Sequence, residues 1–331
     1  MQNKEYAKQI DQITEWIEHD QFDQVRNLFA QCIEESSGQI DDRFRAEMLL
    51  ALKAMEYKQA LKEFDDLRAF SAAFRYCENQ YASAGILQEK DDEYLPNRDV
   101  IWWCWSQGIE SAPPLVRCCY ESLKKLGKEI IVLDEENIPE YVTLPDFIME
   151  KYRSGSFGKA HFSDLLRLEL LTKRGGVWID STVWLSGTDQ IKRVLDQADL
   201  FMFRSGQVSQ YIIFDSWMMQ AKTKSRLLEA TRRMLYAYWE KENTIRNYFL
   251  LHLMMTVACK MYLDEYEKVP VFSNEPCHVL QYELNDRFDI GRWKQITGMS
   301  DVHKLTYRIS ESEEHDTFLN HLLSGGISCD K

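Results

Sequence analysis

The sequence predicts an α/β domain with a mostly parallel sheet flanked by helices, preceded by an all-α N-terminal module. Three observations carry that reading. The first 95 residues contain no proline and only two of the fourteen glycines, Gly38 and Gly85. Beyond Pro96, short β-rich runs alternate with helical ones, the pattern of a sheet with crossover helices. Trp105, Asp134 and Asp180 then fall at the ends of those runs, where open α/β sheets bind ligands.

Residues 1–95 are rich in Glu, Gln, Lys, Ala and Leu, good helix formers with nothing to break them. Within them Leu49, Leu50, Leu52, Met55, Tyr57, Ala60, Leu61 and Phe64 recur at roughly helical spacing and predict one buried face. Three to five helices in a separate module are expected here, and residues 96–331 are expected to form the main domain. In that domain Val100–Trp105 reads as a first strand and Pro113–Leu126 as a helix opened by proline. Glu129–Leu133 follows as a second strand. Ser156–Arg174 reads as a helix stopped by Gly175–Gly176, and Val177–Asp180 as a third strand.

Composition narrows the function. A net charge of −13 lacks the basic footprint of a nucleic-acid-binding protein, yet leaves room for a locally positive pocket. The eight cysteines show no CxxC pair and no Cys/His ligand spacing, so reduced thiols in a cytoplasmic protein are expected rather than disulfides or structural zinc. The N-terminus has no apolar signal-peptide core. Phe249–Cys259 is apolar but too short to cross a bilayer. Five basic residues within Lys222–Arg233 allow a peripheral contact with the inner face of a membrane; a solvated helix face is the plainer reading.

The chemistry concentrates in Ala160–Arg167, with Ser163, Asp164 and Arg167, and in Gly175–Thr182, with Asp180 and Thr182. Asp164 and Arg167 are three apart and share a helix face. From Asp164 the helix runs roughly 15 Å to Arg174, and the strand after the glycines returns roughly 13 Å. Asp180 is therefore expected beside Asp164. A carboxylate at 180 and a hydroxyl at 182 on one strand face could hold Mg²⁺ or Mn²⁺ on a departing diphosphate. The bland alternative is an Asp–Arg pair on a helix surface before a glycine turn.

This arrangement, S-D-x-x-R then G-G-V-W-I-D, resembles the donor-site signature of the DXD-type sugar transferases of glycosyltransferase family 32. It resembles the capsular polysaccharide synthesis proteins more closely still. The run I-W-W-C-W-S-Q-G, Asn247–Phe249 and His303–Tyr307 resemble further blocks of that group, so the likeness spans about residues 98–310. The resemblance implies a GT-A fold and a retaining hexosyltransferase moving sugar from a nucleotide-diphosphate donor, such as a UDP-sugar, to a glycan acceptor, lipid-linked or not. It implies that Asp164 and Arg167 orient the donor sugar, that Asp180 anchors a metal, and that Trp105 stacks on the nucleobase with Gln107 beside it. Thr182 stands where a second acidic residue is usual, which puts strict metal dependence in doubt. His303 and Lys304 are expected near the diphosphate, the first as a metal ligand and the second as a phosphate partner. The competing reading is a catalytically weak nucleotide-sugar-binding or scaffold protein of a polysaccharide-assembly complex.

Overall fold

Two glycines at positive φ, Gly175 (65°) and Gly176 (92°), reverse the chain between a helix and the middle strand of the main sheet, a conformation that side chains with a Cβ avoid. The computed structural model describes residues 2–19, 21–35, 42–87, 99–205, 211–309 and 316–324. The chain divides into two compact units, Met1–Ser71 and Ala72–Lys331. The division falls inside one long helix; the composition change at Pro96 lies outside the described residues.

The first unit contains α1 (Gln2–Glu18), α2 (Phe22–Glu35) and the first part of α3 (Asp42–Tyr81). Its core is Ile13, Val25, Phe29, Met48 and Met55, with Ala51 and Leu52 packed against it. Lys58 donates to the carbonyls of Ile17 and Glu18, both at 2.7 Å, and so satisfies acceptors left open at the end of α1. The buried stripe differs from the predicted one. Leu49, Leu50, Tyr57 and Leu61 are exposed, on the face of α3 turned away from α1 and α2.

The second unit starts with the last turns of α3, then β1 (Val100–Cys104), α4 (Pro114–Leu123), β2 (Glu129–Leu133), α5 (Ile138–Tyr141), α6 (Asp146–Arg153) and α7 (Lys159–Arg174). It continues with β3 (Gly176–Ile179), β4 (Val183–Leu185), α8 (Asp189–Gln197), β5 (Leu200–Arg204), β6 (Phe214–Ala221), α9 (Arg226–Lys241), α10 (Leu250–Met261) and α11 (Leu263–Tyr266). The last elements are α12 (Glu275–Glu283), α13 (Ile290–Met299), β7 (Val302–Lys304) and α14 (Phe318–Leu323). Five strands form the main sheet in the order β2-β1-β3-β6-β5, and β4 pairs with β7 in a separate ribbon.

The sheet is mixed rather than mostly parallel. Strands β2, β1 and β3 run parallel, as expected, whereas β6 is antiparallel to both β3 and β5. The three parallel strands are those with crossover helices between them in the sequence. Strand β6 (FDSWMMQA) is buried along nearly its whole length, so it lacks the alternation that marks a strand.

Burial explains several polar groups. Glu169 on α7 accepts from Arg232 and Tyr236 of α9, each at 2.7 Å, and pairs with Lys173. Arg232 also pairs with Glu229, Arg233 with Glu229, and Arg226 with Asp264 and Glu265. Arg226 and Arg232 thus tie α9 to α11 and α7, and Arg233 is paired within α9 itself, so these arginines do not form an open basic face. Asp134 caps the turn after β2, accepting from the backbone of Glu136 and Asn137 at 2.9 Å. Cys77, Cys104, Cys118, Cys119, Cys259 and Cys277 are free thiols.

Candidate active site

The site begins with the hairpin-like unit of α7 and β3. Arg167 lies one turn beyond Ser163 on α7 and is almost fully buried. Its guanidinium is 3.3 Å from Asp164 Oδ1 and 3.2 Å from Asp180 Oδ1, and it donates to Ser163 Oγ at 3.2 Å. It also donates to the Ser216 carbonyl of β6 at 2.7 Å, and its plane lies 5.1 Å from the Trp178 ring. The glycine reversal therefore brings the two carboxylates to opposite sides of one arginine, as the lengths of helix and strand require.

Asp180 is the most heavily engaged of these groups. Its Oδ1 accepts from Trp178 Nε1 at 2.9 Å as well as from Arg167, and its Oδ2 accepts from Lys304 at 3.1 Å. Burial alone would raise its pKa, but the charges of Lys304 and Arg167 outweigh that and hold it below the usual carboxylate range. Lys304 arrives on β7, whose partner is β4: Val183 lies opposite Lys304, Trp184 opposite His303 and Leu185 opposite Val302. Its ammonium donates to Thr182 Oγ1 at 2.6 Å, so one cation joins the carboxylate and the hydroxyl. Residues 180–182 form a turn rather than a strand continuation; Asp180 and Thr182 nevertheless meet, through Lys304.

Above this group opens a cavity of about 670 Å³. Trp105, Gln107, Ser163, Asp180, Thr182 and Lys304 all line it, whereas Asp164 and Arg167 do not; Arg167 is joined to it through Ser163 and Asp180. Trp103 is wholly buried against Tyr120, and Trp102 donates to the Gly175 carbonyl at 2.8 Å. Of the three tryptophans in β1 and its end, only Trp105 reaches the cavity, in edge-to-face contact with Tyr307 at 5.5 Å. The thiol of Cys104 also lines the cavity, but burial, aided by the nearby Asp180 charge, pushes its pKa up to about 12. It is therefore no thiolate nucleophile near neutral pH.

His303 does not belong to this site. It is fully buried, its Nε2 sits 3.0 Å from Ser186 Oγ, and its ring lies 5.4 Å from that of Trp184. Adjacent residues of a strand face opposite ways, so placing Lys304 in the cavity turns His303 into the core. Burial pushes its pKa down to about 3. The cavity wall also includes Lys159, Tyr248, Gln281, Tyr307 and Arg308, to which sequence reasoning assigned no role. Tyr248 and Tyr307 lie within sequence blocks already singled out, and Lys159 immediately precedes the α7 motif.

For a divalent cation the predicted ligands in this cavity are one carboxylate and one hydroxyl. Among the described residues no group of three or more His, Cys, Asp or Glu side chains could hold one. The two candidate ligands, Asp180 and Thr182, are those that the Lys304 ammonium already joins. An ion placed there would share one carboxylate with two neighbouring cations, and like charges at such distances repel strongly.

Residues 55–322 match the family model described as capsular polysaccharide synthesis protein. A relative from Phomopsis amygdali, an O-glycosyltransferase named PaGT, is 28% identical over 164 residues, which is 43% of this chain. The match spans 39% of that protein's own length. No helix among the described residues is long and apolar enough to cross a membrane.

Proposed function

We propose that this chain, which belongs to the capsular polysaccharide synthesis protein family, transfers a hexose from a nucleotide-diphosphate sugar to a glycan acceptor during synthesis of a cell-surface polysaccharide. The observation that carries the reading is the Asp164–Arg167–Asp180 cluster, whose Asp180 lines a cavity that also presents an aromatic wall and a lysine. The family and the glycosyltransferase relative support the reaction class. A UDP-sugar is the donor proposed first, with Trp105 flanking the base and Gln107 near it. Cavity volume agrees with this, because small-molecule sites fall in the range of about 300–1,000 Å³.

In this reading Asp164 and Arg167 position the sugar, and Ser163 holds the Arg167 fork from the cavity side. Contacts that strengthen as positive charge grows at the anomeric carbon lower the barrier rather than merely tighten binding. The acceptor hydroxyl then replaces the diphosphate with retention of configuration, which the likeness to retaining family 32 enzymes suggests. An acceptor carried on a lipid would bring the protein to the inner membrane face.

The test is a screen of UDP-, GDP- and ADP-sugars for ligand-induced thermal stabilisation and for slow hydrolysis, with proton NMR of the released sugar. Turnover of one donor with retained configuration is the expected result. Nucleotide binding with no turnover, with or without glycan acceptors, would instead favour a nucleotide-sugar-binding scaffold, the reading that Thr182 in place of an acid favours. No binding to any nucleotide would remove both.

A further inference from the structure

We infer that Lys304 is the resident cation of this site, taking the electrostatic place of a divalent metal, so that the donor diphosphate is bound and released without one. The inference rests on the donor-site reading above and goes beyond it by assigning how diphosphate charge is neutralised.

Three structural facts point this way. The ammonium is held between Asp180 Oδ2 at 3.1 Å and Thr182 Oγ1 at 2.6 Å, the two groups available to a metal. Its backbone is fixed on the same two residues' segment: Lys304 pairs with Val183 across the β4–β7 ribbon, and Leu305 donates its N–H to the Thr182 carbonyl at 2.8 Å. Finally, the side chain is only about one-fifth exposed yet lines the cavity. A charge aimed into a cavity by a fixed strand needs little reorganisation when an anion arrives, the condition under which electrostatic stabilisation is most effective.

Thr182 fits this assignment. A second carboxylate at that position would leave a net negative pair for a divalent ion to neutralise; a hydroxyl leaves one carboxylate, which one ammonium matches. Arg167 sits on the other carboxylate oxygen and also on Asp164, so the two carboxylates are matched by two cations and this group opposes a diphosphate with no net negative charge. In the transfer step the sugar C1–O bond breaks and its electron pair stays on the β-phosphate oxygen. An acceptor hydroxyl, or water in a hydrolysis assay, supplies the oxygen of the new C1–O bond and gives its proton to the departing diphosphate or to solvent. Lys304 carries no proton in this step; it offsets the negative charge that builds on the leaving oxygen.

Two measurements on the full chain test the inference. The first needs no nucleotide: free Mn²⁺ is followed by electron paramagnetic resonance during titration of wild type, Lys304→Ala and Lys304→Ala with Asp180→Asn. Removing the ammonium should tighten Mn²⁺ binding by about tenfold or more, and Asp180→Asn should abolish the gain. The second is calorimetry with UDP and GDP in EDTA and in Mn²⁺. Wild-type affinity should agree between the two buffers within about twofold, while Lys304→Ala should weaken binding in EDTA by about tenfold or more and recover in Mn²⁺. Should the alanine variant fail to fold, Lys304→Met keeps the aliphatic stem and carries the same comparison. Wild-type Mn²⁺ binding as tight as that of Lys304→Ala, or nucleotide binding lost in EDTA, would overturn the assignment. Failure of both nucleotides to bind in either buffer would refute the donor-site reading, and the Mn²⁺ titration would still decide the role of Lys304.

Discussion

Trp239 Nε1 donates to His161 Nε2 at 2.8 Å, and that one bond sets the tautomer of a buried histidine beside Asp164. A ring that accepts at Nε2 carries its proton on Nδ1, and Nδ1 lies 3.3 Å from Asp164 Oδ2. Asp164 thus has the His161 ring on one side, close but without a hydrogen bond from Nδ1, and the guanidinium of Arg167 on the other. Trp239→Phe keeps the ring but removes the donor. It should cost about 1 kcal/mol of stability and lower donor turnover more than nucleotide affinity, as urea unfolding and hydrolysis rates on the same preparation would show.

Asp164→Asn is nearly isosteric and leaves Arg167 paired with Asp180. Folding and free-nucleotide affinity should be almost unchanged, while kcat falls on the order of 10²-fold, the loss typical of one preorganised contact. Arg167→Met should behave differently, destabilising the fold by about 3–5 kcal/mol because two carboxylates lose their buried partner. Turnover that survives in the asparagine variant would reduce Asp164 to a helix-surface ion pair.

Trp103 and Trp105, two residues apart on the first strand and its end, should separate structure from binding. Trp103→Ala opens the core and should cost about 3–5 kcal/mol of stability. Trp105→Ala, at a residue only partly buried against the core, should cost less stability than Trp103→Ala and weaken UDP binding by about 1–3 kcal/mol, the range for an aromatic base platform. Equal nucleotide affinity in the Trp105 variant and wild type would remove it from the donor site.

His303 makes stability depend on pH. Its pKa falls from 6.5 to about 3 on folding, so between those values the unfolded chain binds the extra proton. Stability from this group is complete above about pH 6.5 and is lost progressively as pH falls toward 3. His303→Gln, which cannot titrate, should flatten the melting temperature between neutral pH and pH 5 relative to wild type. Parallel pH profiles for the two proteins would show that His303 is not held neutral.

The cut that releases a soluble second unit should lie near Ser71 rather than near Pro96. Phe74, Cys77 and Tyr81, at the end of α3, are buried; the Phe74 ring meets Tyr211 and the Tyr81 ring meets Tyr238 of α9. Residues 72–331 should express as a folded protein with donor hydrolysis, and residues 96–331 should be insoluble or strongly destabilised. Equal melting temperatures for the two truncations would contradict this.

What the sequence revealed was chiefly what is local. The α7–glycine–β3 unit could be laid out from rise per residue alone, so the approach of Asp164 and Asp180 was legible, as were the first three strands. Strands β5 and β6 were not, because β6 is buried along both faces and shows no alternation. The pairing of Lys304 with Asp180 spans 124 residues, and no local pattern encodes it. The placing of both His303 and Lys304 at the diphosphate had a correctable flaw: neighbours on a strand cannot face one cavity together. Likewise the arginines of the Lys222–Arg233 segment read as a charged surface until Glu169, which binds Arg232 from another helix, came into view.

The ribbon of β4 and β7 also governs when the site comes into being during synthesis. Asp180 and its α7 partners can settle once the first half of the second unit has emerged, whereas Lys304 is translated 124 residues later. Contacts of such separation form late, after the loop between them has closed. A nascent chain stopped before β7 would hold Asp180 and Thr182 without their ammonium, an acidic pocket that repels a diphosphate. On the donor-site proposal, nucleotide binding would therefore begin only after α13 has been passed and β7 has docked against β4.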